Sequence, residues 1–260
     1  MIRTVLWTVI LALAGFAGLC ALLYARQRSM LYYPTPQVNS GEAQALRLPH
    51  EGQSLKVWYV KRDTGQALIY FGGNAEDVAL NISQFKQLFP HHSLFLHNYR
   101  GYGGSSGQPT EAGLCSDAKA LYDYVRKNYQ NIDVMGRSLG SGVAVYLASE
   151  KEVQRLVLVT PYDSMVNVAS TYYPFIPVSL LLKDRYDSRK RADKLDMDIL
   201  VIIAERDEVI PRRSSDGLVS ALGPENTTVT VIGAASHNSI GSFPEYEEVL
   251  RTFLNKSSMQ

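Results

Sequence analysis

From about residue 43 onward, short runs rich in β-branched and aromatic residues alternate with stretches whose apolar residues recur at helical spacing. This alternation implies a mostly parallel sheet with helices on both faces, because a parallel neighbour is reached only through a crossover that covers the sheet. ALIYFGG, SLFLHNY, IDVM, RLVLVT, ILVIIAE and TTVTVIG are the expected strands of that sheet. Most read as nearly continuous apolar runs, the pattern of strands buried on both faces. DVALNISQFKQLF, EAGLCSDAKALYDYVRKNY, SGVAVYLASE and PEYEEVLRTFL are the expected helices; in the first, Val78, Ile82, Phe85, Leu88 and Phe89 share one face. Ahead of them, QALRLPH and SLKVWYVK are expected to pair as a hairpin turning at Glu51-Gly52.

The amino-terminal segment obeys a different rule. Thr4 to Ala25 is 22 residues without a charge, bracketed by Arg3 on one side and by Arg26 and Arg28 on the other. As a helix it is about 33 Å long, enough to cross a hydrocarbon core of about 30 Å. A cleaved signal peptide has a shorter apolar core and a small-residue cleavage site, whereas this stretch runs through Leu22, Leu23 and Tyr24 into arginines. The segment therefore reads as a single-pass membrane anchor over 1–28. Trp7 near one end and Tyr24, Tyr32 and Tyr33 near the other fit interfacial belts. The flanking positive charges are balanced and favour neither orientation. A proline-bearing linker over 29–42 follows, then the folded domain over 43–260.

Composition excludes several functions. A net charge of +1 gives no reason to expect a nucleic-acid partner. Two cysteines are too few for a disulfide framework, and neither they nor the adjacent His91-His92 pair have metal-site spacing. Neither a metal nor a cofactor is expected. Gly72-Gly73 follows a strand, as dinucleotide-binding glycines do, yet the full G-x-G-x-x-G pattern is absent there.

What remains is VMGRSLGSG. Gly136-Arg137-Ser138-Leu139-Gly140 is a G-x-S-x-G run that directly follows the strand IDVM and opens a helix. That placement suits a nucleophile elbow, with glycines where bulk would clash as the strand reverses into the helix. A serine hydroxyl also needs a base, and the base an orienting acid. Only one histidine lies downstream of Ser138, namely His237, just past TTVTVIG. Two aspartates compete for the acid: Asp207 after ILVIIAE, and Asp163 after RLVLVT. Asp207 is preferred because its strand adjoins the one bearing the histidine; Glu205 and Glu208 read as solvated. For an oxyanion, the backbone N–H of Leu139 is one expected donor and that of Asn74, in YFGGNAED, the other.

FGGNAED, NYRGYGGSSGQPTE, MGRSLGSGVA, TPYDS, YYPFIPVSLLLKDRYDS and AERDEVIP together resemble the membrane-anchored α/β-hydrolases of the bud-emergence (Bem) type. The likeness covers most of the chain after about residue 28. It implies an α/β-hydrolase fold, a mostly parallel sheet flanked by helices with a small cap over 161–196, behind one transmembrane helix. It also implies a triad of Ser138, Asp207 and His237, with Asn74 and Leu139 as oxyanion donors. The family includes protein depalmitoylases and lysophospholipid hydrolases, so the resemblance implies carboxylic ester or thioester hydrolysis. The expected partners are a lipid bilayer and an acyl-bearing small molecule, lipid or acylated protein. A serine peptidase and a non-catalytic scaffold of the same fold are the other two readings. One departure stands out: the family commonly carries His-Gly-Asn where this chain has Gly72-Gly73-Asn74, which implies a looser oxyanion loop.

Overall fold

Glu51 and Gly52 both take positive φ, 48° and 72°, the two-residue turn geometry that matches the twist of an antiparallel pair. They join β1 (Gln44–His50) to β2 (Gln53–Val60), and β2 continues antiparallel onto β4 (Ser93–His97). From there on every pairing is parallel, through β3 (Gln66–Phe71), β5 (Asn131–Arg137), β6 (Arg155–Val159), β7 (Asp198–Arg206) and β8 (Thr227–Ser236). The eight strands lie in the order β1-β2-β4-β3-β5-β6-β7-β8. This computed structural model describes residues 1–255, so positions 256–260 of the expected domain lie outside the described residues.

The helices are α1 (Ile2–Leu31), α2 (Ile82–Leu88), α3 (Glu111–Arg126), α4 (Leu139–Ala148), α5 (Met165–Tyr172), α6 (Val178–Leu181), α7 (Arg212–Leu222) and α8 (Pro244–Leu254). Alternate residues of β3 serve opposite faces of the sheet. Ala67, Ile69 and Phe71 pack with Leu114, Leu121, Val143 and Leu147 of α3 and α4. Leu68 and Tyr70 pack with Ile82, Phe85 and Leu88 of α2 and with Tyr246 and Leu250 of α8. Both faces are covered, which is why the strands are apolar throughout.

Two elements differ from expectation. The stretch read as one helix from Asp77 begins instead as a 3₁₀ turn over Val78–Asn81, because the Asp77 carboxylate caps the Ala79 N–H and starts the chain tightly. α7 was not legible at all: RRSSDGLVSAL combines serine, aspartate and glycine, poor helix formers individually, yet buries Ser214, Ser215 and Leu218.

α1 buries no residue, and an 18-residue stretch of it has a mean hydropathy of 2.3, so the helix is long and apolar enough to cross a membrane. It runs through the arginines to Leu31, where its end is fixed to the domain. Arg28 pairs with Asp184 at 2.8 Å, Gln27 donates to the Leu181 carbonyl, and the buried Tyr32 hydroxyl meets that of Tyr186 at 2.8 Å. The residues after it are tied down too: Gly103 donates to the Thr35 carbonyl and Lys56 to that of Val38.

His97 closes β4 among aromatic rings, edge-on to Phe71 and Tyr99, and neither ring nitrogen has a partner among the described residues. Burial pushes its pKa down to about 4. An unfolded imidazole takes up its proton near 6.5, so between that pH and 4 the unfolded chain binds a proton that the folded chain refuses. Stability should therefore be intact above about pH 6.5 and fall by about 3 kcal/mol as the pH drops toward 4. Urea unfolding across that range should show a smaller loss in His97→Leu than in the wild type; equal losses would remove His97 as the cause.

Candidate active site

Ser138 sits between β5 and α4 with φ 50° and ψ −118°, a conformation that costs a non-glycine residue on the order of 1–3 kcal/mol. The surroundings over-determine it. Its N–H donates to the Val159 carbonyl at 2.9 Å, and the Ser141 N–H and hydroxyl both donate to its carbonyl, at 2.9 and 2.6 Å. The flanking glycines are forced by contact: a Cβ on Gly136 would strike the Gly140 carbonyl, and one on Gly140 the Phe71 carbonyl. The hydroxyl stands at the C-terminal end of β5 and is 8% exposed.

Asp207 and His237 reach it through strand register. Arg206, the last residue of β7, pairs with Ser236, the last of β8, after a register shift between Ala204 and Arg206. Ala234 in the bulged stretch takes φ 59°. A bulge of this kind re-aims the side chains that follow it. Asp207 and His237 therefore leave the sheet side by side. His237 Nδ1 lies 2.9 and 2.8 Å from the two Asp207 oxygens, and its Nε2 lies 2.9 Å from Ser138 Oγ. Asp207 Oδ1 also accepts the N–H groups of Val209 and Ile210, at 2.9 and 2.7 Å. A carboxylate is an acceptor only, so Nδ1 carries the imidazole proton and Nε2 is free to accept. Such a relay can draw the proton from the serine hydroxyl as its oxygen attacks an acyl carbon.

Asp163 is not part of this cluster. It is buried at the start of α5, where its Oδ1 accepts the Ser164 N–H at 2.7 Å and its Oδ2 the Asn167 amide. Glu205 and Glu208 are exposed but not idle: they accept the N–H groups of Ala234 and His237, at 2.7 and 3.1 Å, and brace the histidine loop.

The loop 72–76 lies against the elbow, with a Cβ on Gly73 falling 3.6 Å from that of Ser138. The Asn74 N–H has no protein partner among the described residues. Leu139 opens α4, where helical geometry supplies no acceptor for its N–H. The Gly73 N–H is committed to Glu76 at 2.7 Å. Glu76 is the hub that the sequence did not reveal: it also accepts from Tyr70 and Asn81, both at 2.6 Å, and from Arg137 at 2.9 Å. Arg137 in turn donates to the His237 carbonyl at 3.1 Å. Burial opposes the Arg137 charge, but Glu76, with Tyr70 and Tyr246 beside it, outweighs this and holds its pKa above the ordinary arginine value. The loop is held without the family's histidine. Tyr99 donates to the Gly72 carbonyl at 2.7 Å, and Val78 fills the space beside Gly72.

The Asn74 side chain faces α1. Its amide donates to the Leu31 carbonyl at 2.6 Å, and its oxygen accepts from the Tyr33 N–H and the Tyr102 hydroxyl, at 3.0 and 2.8 Å. Between β6 and β7, α5 and α6 lie over the domain on the side of α1. Tyr172 reaches the Glu208 and Val209 carbonyls at 3.0 and 2.8 Å, while Phe175 and Leu180 stand 88% and 82% exposed.

The α/β-hydrolase fold model matches residues 66–187. An uncharacterised Mycobacterium tuberculosis protein is 31% identical over 237 residues, covering 85% of this chain and 84% of its own. Alpha/beta hydrolase domain-containing protein 17C of Xenopus laevis is 28% identical, with 93% of this chain and 78% of that one covered. Protein bem46 of Schizosaccharomyces pombe is 23% identical, with 96% and 95% covered. Among solved structures, the Pyrococcus furiosus esterase Pf2001 superimposes with a TM-score of 0.69 at 20% identity, over 86% of this chain and 98% of its own. The chain belongs to the α/β-hydrolase family, in the group related to bem46 and to domain-containing protein 17.

Glu76 gives the site its own stability test. Glu76→Ala strips the charge partner from Arg137, whose side chain is only 20% exposed. The expected loss is about 3 kcal/mol, the lower end for breaking a buried pair, and Glu76→Gln should lose less. Urea denaturation of both variants at pH 7 measures it, and a loss below about 1 kcal/mol for Glu76→Ala would show that the hub is dispensable.

Proposed function

We propose that this protein is a membrane-tethered serine hydrolase that cleaves acyl esters or thioesters through an acyl-enzyme. The observation that carries the reading is the continuous path from Asp207 through His237 to Ser138 Oγ, each step at 2.8 to 2.9 Å. Ser138 is the nucleophile, His237 the general base and Asp207 the acid that fixes the tautomer. As Oγ bonds to the acyl carbon, His237 Nε2 takes the hydroxyl proton, and the carbonyl oxygen gains negative charge. That charge meets the N–H groups of Asn74 and Leu139, the latter at the positive end of α4. His237 then passes its proton to the leaving alcohol or thiol. Water, deprotonated by the same nitrogen, releases the acid and restores Ser138.

The anchor reading rests on α1. A removable signal sequence has no need for an Arg28–Asp184 ion pair, a Tyr32–Tyr186 contact and a bond from Asn74 to its last carbonyl. These contacts favour a helix that stays. Domain-containing protein 17, to which the chain is related, and the exposed apolar cap both support acyl substrates. On this reading 43–260 is the hydrolase domain and 161–196 its cap.

Ser138→Ala should fold normally, lose labelling by a fluorophosphonate probe and lower kcat on acyl esters by roughly 10³-fold or more. His237→Ala should match it, since the two groups act as a unit. Asp207→Asn should be severe and Asp163→Asn mild in the same assay. Retained labelling in Ser138→Ala would reject the nucleophile. Efficient release of N-terminal amino acids from peptides would keep the site and change the reaction to that of a peptidase.

A further inference from the structure

α1 and the cap enclose a groove that the hydrolytic chemistry does not explain. Leu23 and Leu31 of α1 form one wall, Met165, Ala169 and Tyr173 another, and Leu181 closes one side. The lining is almost wholly apolar and the cavity volume is ≈ 140 Å³. That is close to the size of a dry engineered cavity of about 150 Å³ that admits benzene, so the enclosed part holds about six carbons. The groove remains open and lets a longer chain continue along the helix.

Its position is more telling than its size. Leu23 lies inside the uncharged stretch of α1, and Leu31 lies beyond the arginines, about 12 Å further along the helix axis. At the Leu31 end, that residue's carbonyl accepts from Asn74. On the opposite wall, Tyr173 adjoins Tyr172, whose hydroxyl holds the loop just after Asp207. The groove thus runs from the apolar span of α1 to the Leu31 end of the helix, one hydrogen bond away from Asn74.

We propose that this groove binds the acyl chain of a bilayer-resident substrate, so that α1 is one wall of the substrate site as well as a tether. The proposal rests on the hydrolase reading above and adds the route by which the substrate arrives. An acyl chain leaving the lipid alongside Leu23 stays in apolar surroundings until its ester carbon lies beside Asn74 and Ser138. Each methylene that becomes fully buried favours binding about fourfold, so efficiency should rise with chain length until the enclosed part is full.

The test uses the full chain in phosphatidylcholine nanodiscs and has two arms. In the first, myristic acid carrying a diazirine on its chain is photolysed with the wild type and with Ser138→Ala, and adducts are mapped by mass spectrometry. Adducts should concentrate on Met30, Leu31, Met165 and Tyr173 over the mid-helix residues Leu11 to Phe16, in both proteins. Ala169→Trp, which fills the groove from the cap, and Leu31→Trp, which fills it from the helix, should each lower the groove adducts about tenfold or more, with melting temperatures near that of the wild type. In the second arm, the ratio of kcat/KM for octanoyl over acetyl esters should fall about tenfold or more in both tryptophan variants, the weight of about two buried methylenes. Adducts spread evenly along α1, or an unchanged octanoyl-to-acetyl ratio in an active enzyme, would overturn the proposal. Absence of any ester hydrolysis together with groove-centred adducts would reject the hydrolase reading and leave acyl binding standing.

Discussion

The contact on which the site depends is the approach of α4 to the end of β3. Gly140 meets the carbonyl of Phe71 so closely that no side chain fits between them. The contact forces the strand-to-helix reversal into a single sharp turn and leaves Ser138 at φ 50°. It also presses the start of loop 72–76 onto the elbow, because Phe71 pairs with Gly136 in the sheet. One close approach therefore sets three things at once: the position of the hydroxyl at the strand end, the N-terminal end of α4 beside it, and the adjacent peptide N–H groups. The strain at Ser138 is sustained by the neighbouring strand, whose Val159 carbonyl takes its N–H.

Around that contact, polar side chains fix pieces that the sheet alone would leave loose. Glu76 gathers the loop amide, two side chains from its own face and the Arg137 guanidinium, and Arg137 extends the link to the carbonyl of His237. The nucleophile's own neighbour thus connects the loop on one side of Ser138 to the histidine on the other. Half-satisfied, such a network would be a liability at low local dielectric; here Glu76 accepts four donors and its charge is matched.

Much of this was legible in the sequence, and the reasons differ for each part. The parallel sheet was legible because its strands are buried on both faces and lack the alternation of a half-exposed strand. The Glu51-Gly52 hairpin was legible because few residues accept positive φ in succession. Ser138 and His237 could be singled out by pattern and by elimination. The choice between Asp207 and Asp163 was not settled by spacing, since both follow strands of the same sheet. What separates them is the bulge before Arg206 and the use of Asp163 at the start of α5, and neither leaves a trace in composition. Glu76, Glu205 and Glu208 were missed for a related reason: a carboxylate that accepts backbone N–H groups across a loop has no sequence partner to announce it. α7 was missed because its apolar residues, Leu218, Val219 and Leu222, are confined to its second half, while the first half turns Ser214 and Ser215 inward.

The end of α1 joins these themes. A helix leaves its last carbonyls without internal donors, and close to a membrane surface such groups need partners from the protein. Leu31 obtains one from Asn74, in the loop that lies against the elbow. Because the Asn74 oxygen is at the same time held by Tyr33 and Tyr102, the amide cannot turn away without losing several bonds together. The Arg28–Asp184 pair and the Tyr32–Tyr186 contact fix the same helical turn against the far side of the cap. The domain is therefore held to the end of α1 by two of its parts, the loop 72–76 and the cap. On the anchor reading proposed above, a helix fixed in this way would impose an orientation on the domain as well as a distance from the bilayer. The exposed Phe175 and Leu180 lie on the short cap segment that also packs against α1, where apolar surface left uncovered in water would be unfavourable by roughly 25 cal/mol per Å². On the anchor reading, a lipid surface would cover the same side chains, and the junction at Leu31 would hold them against it.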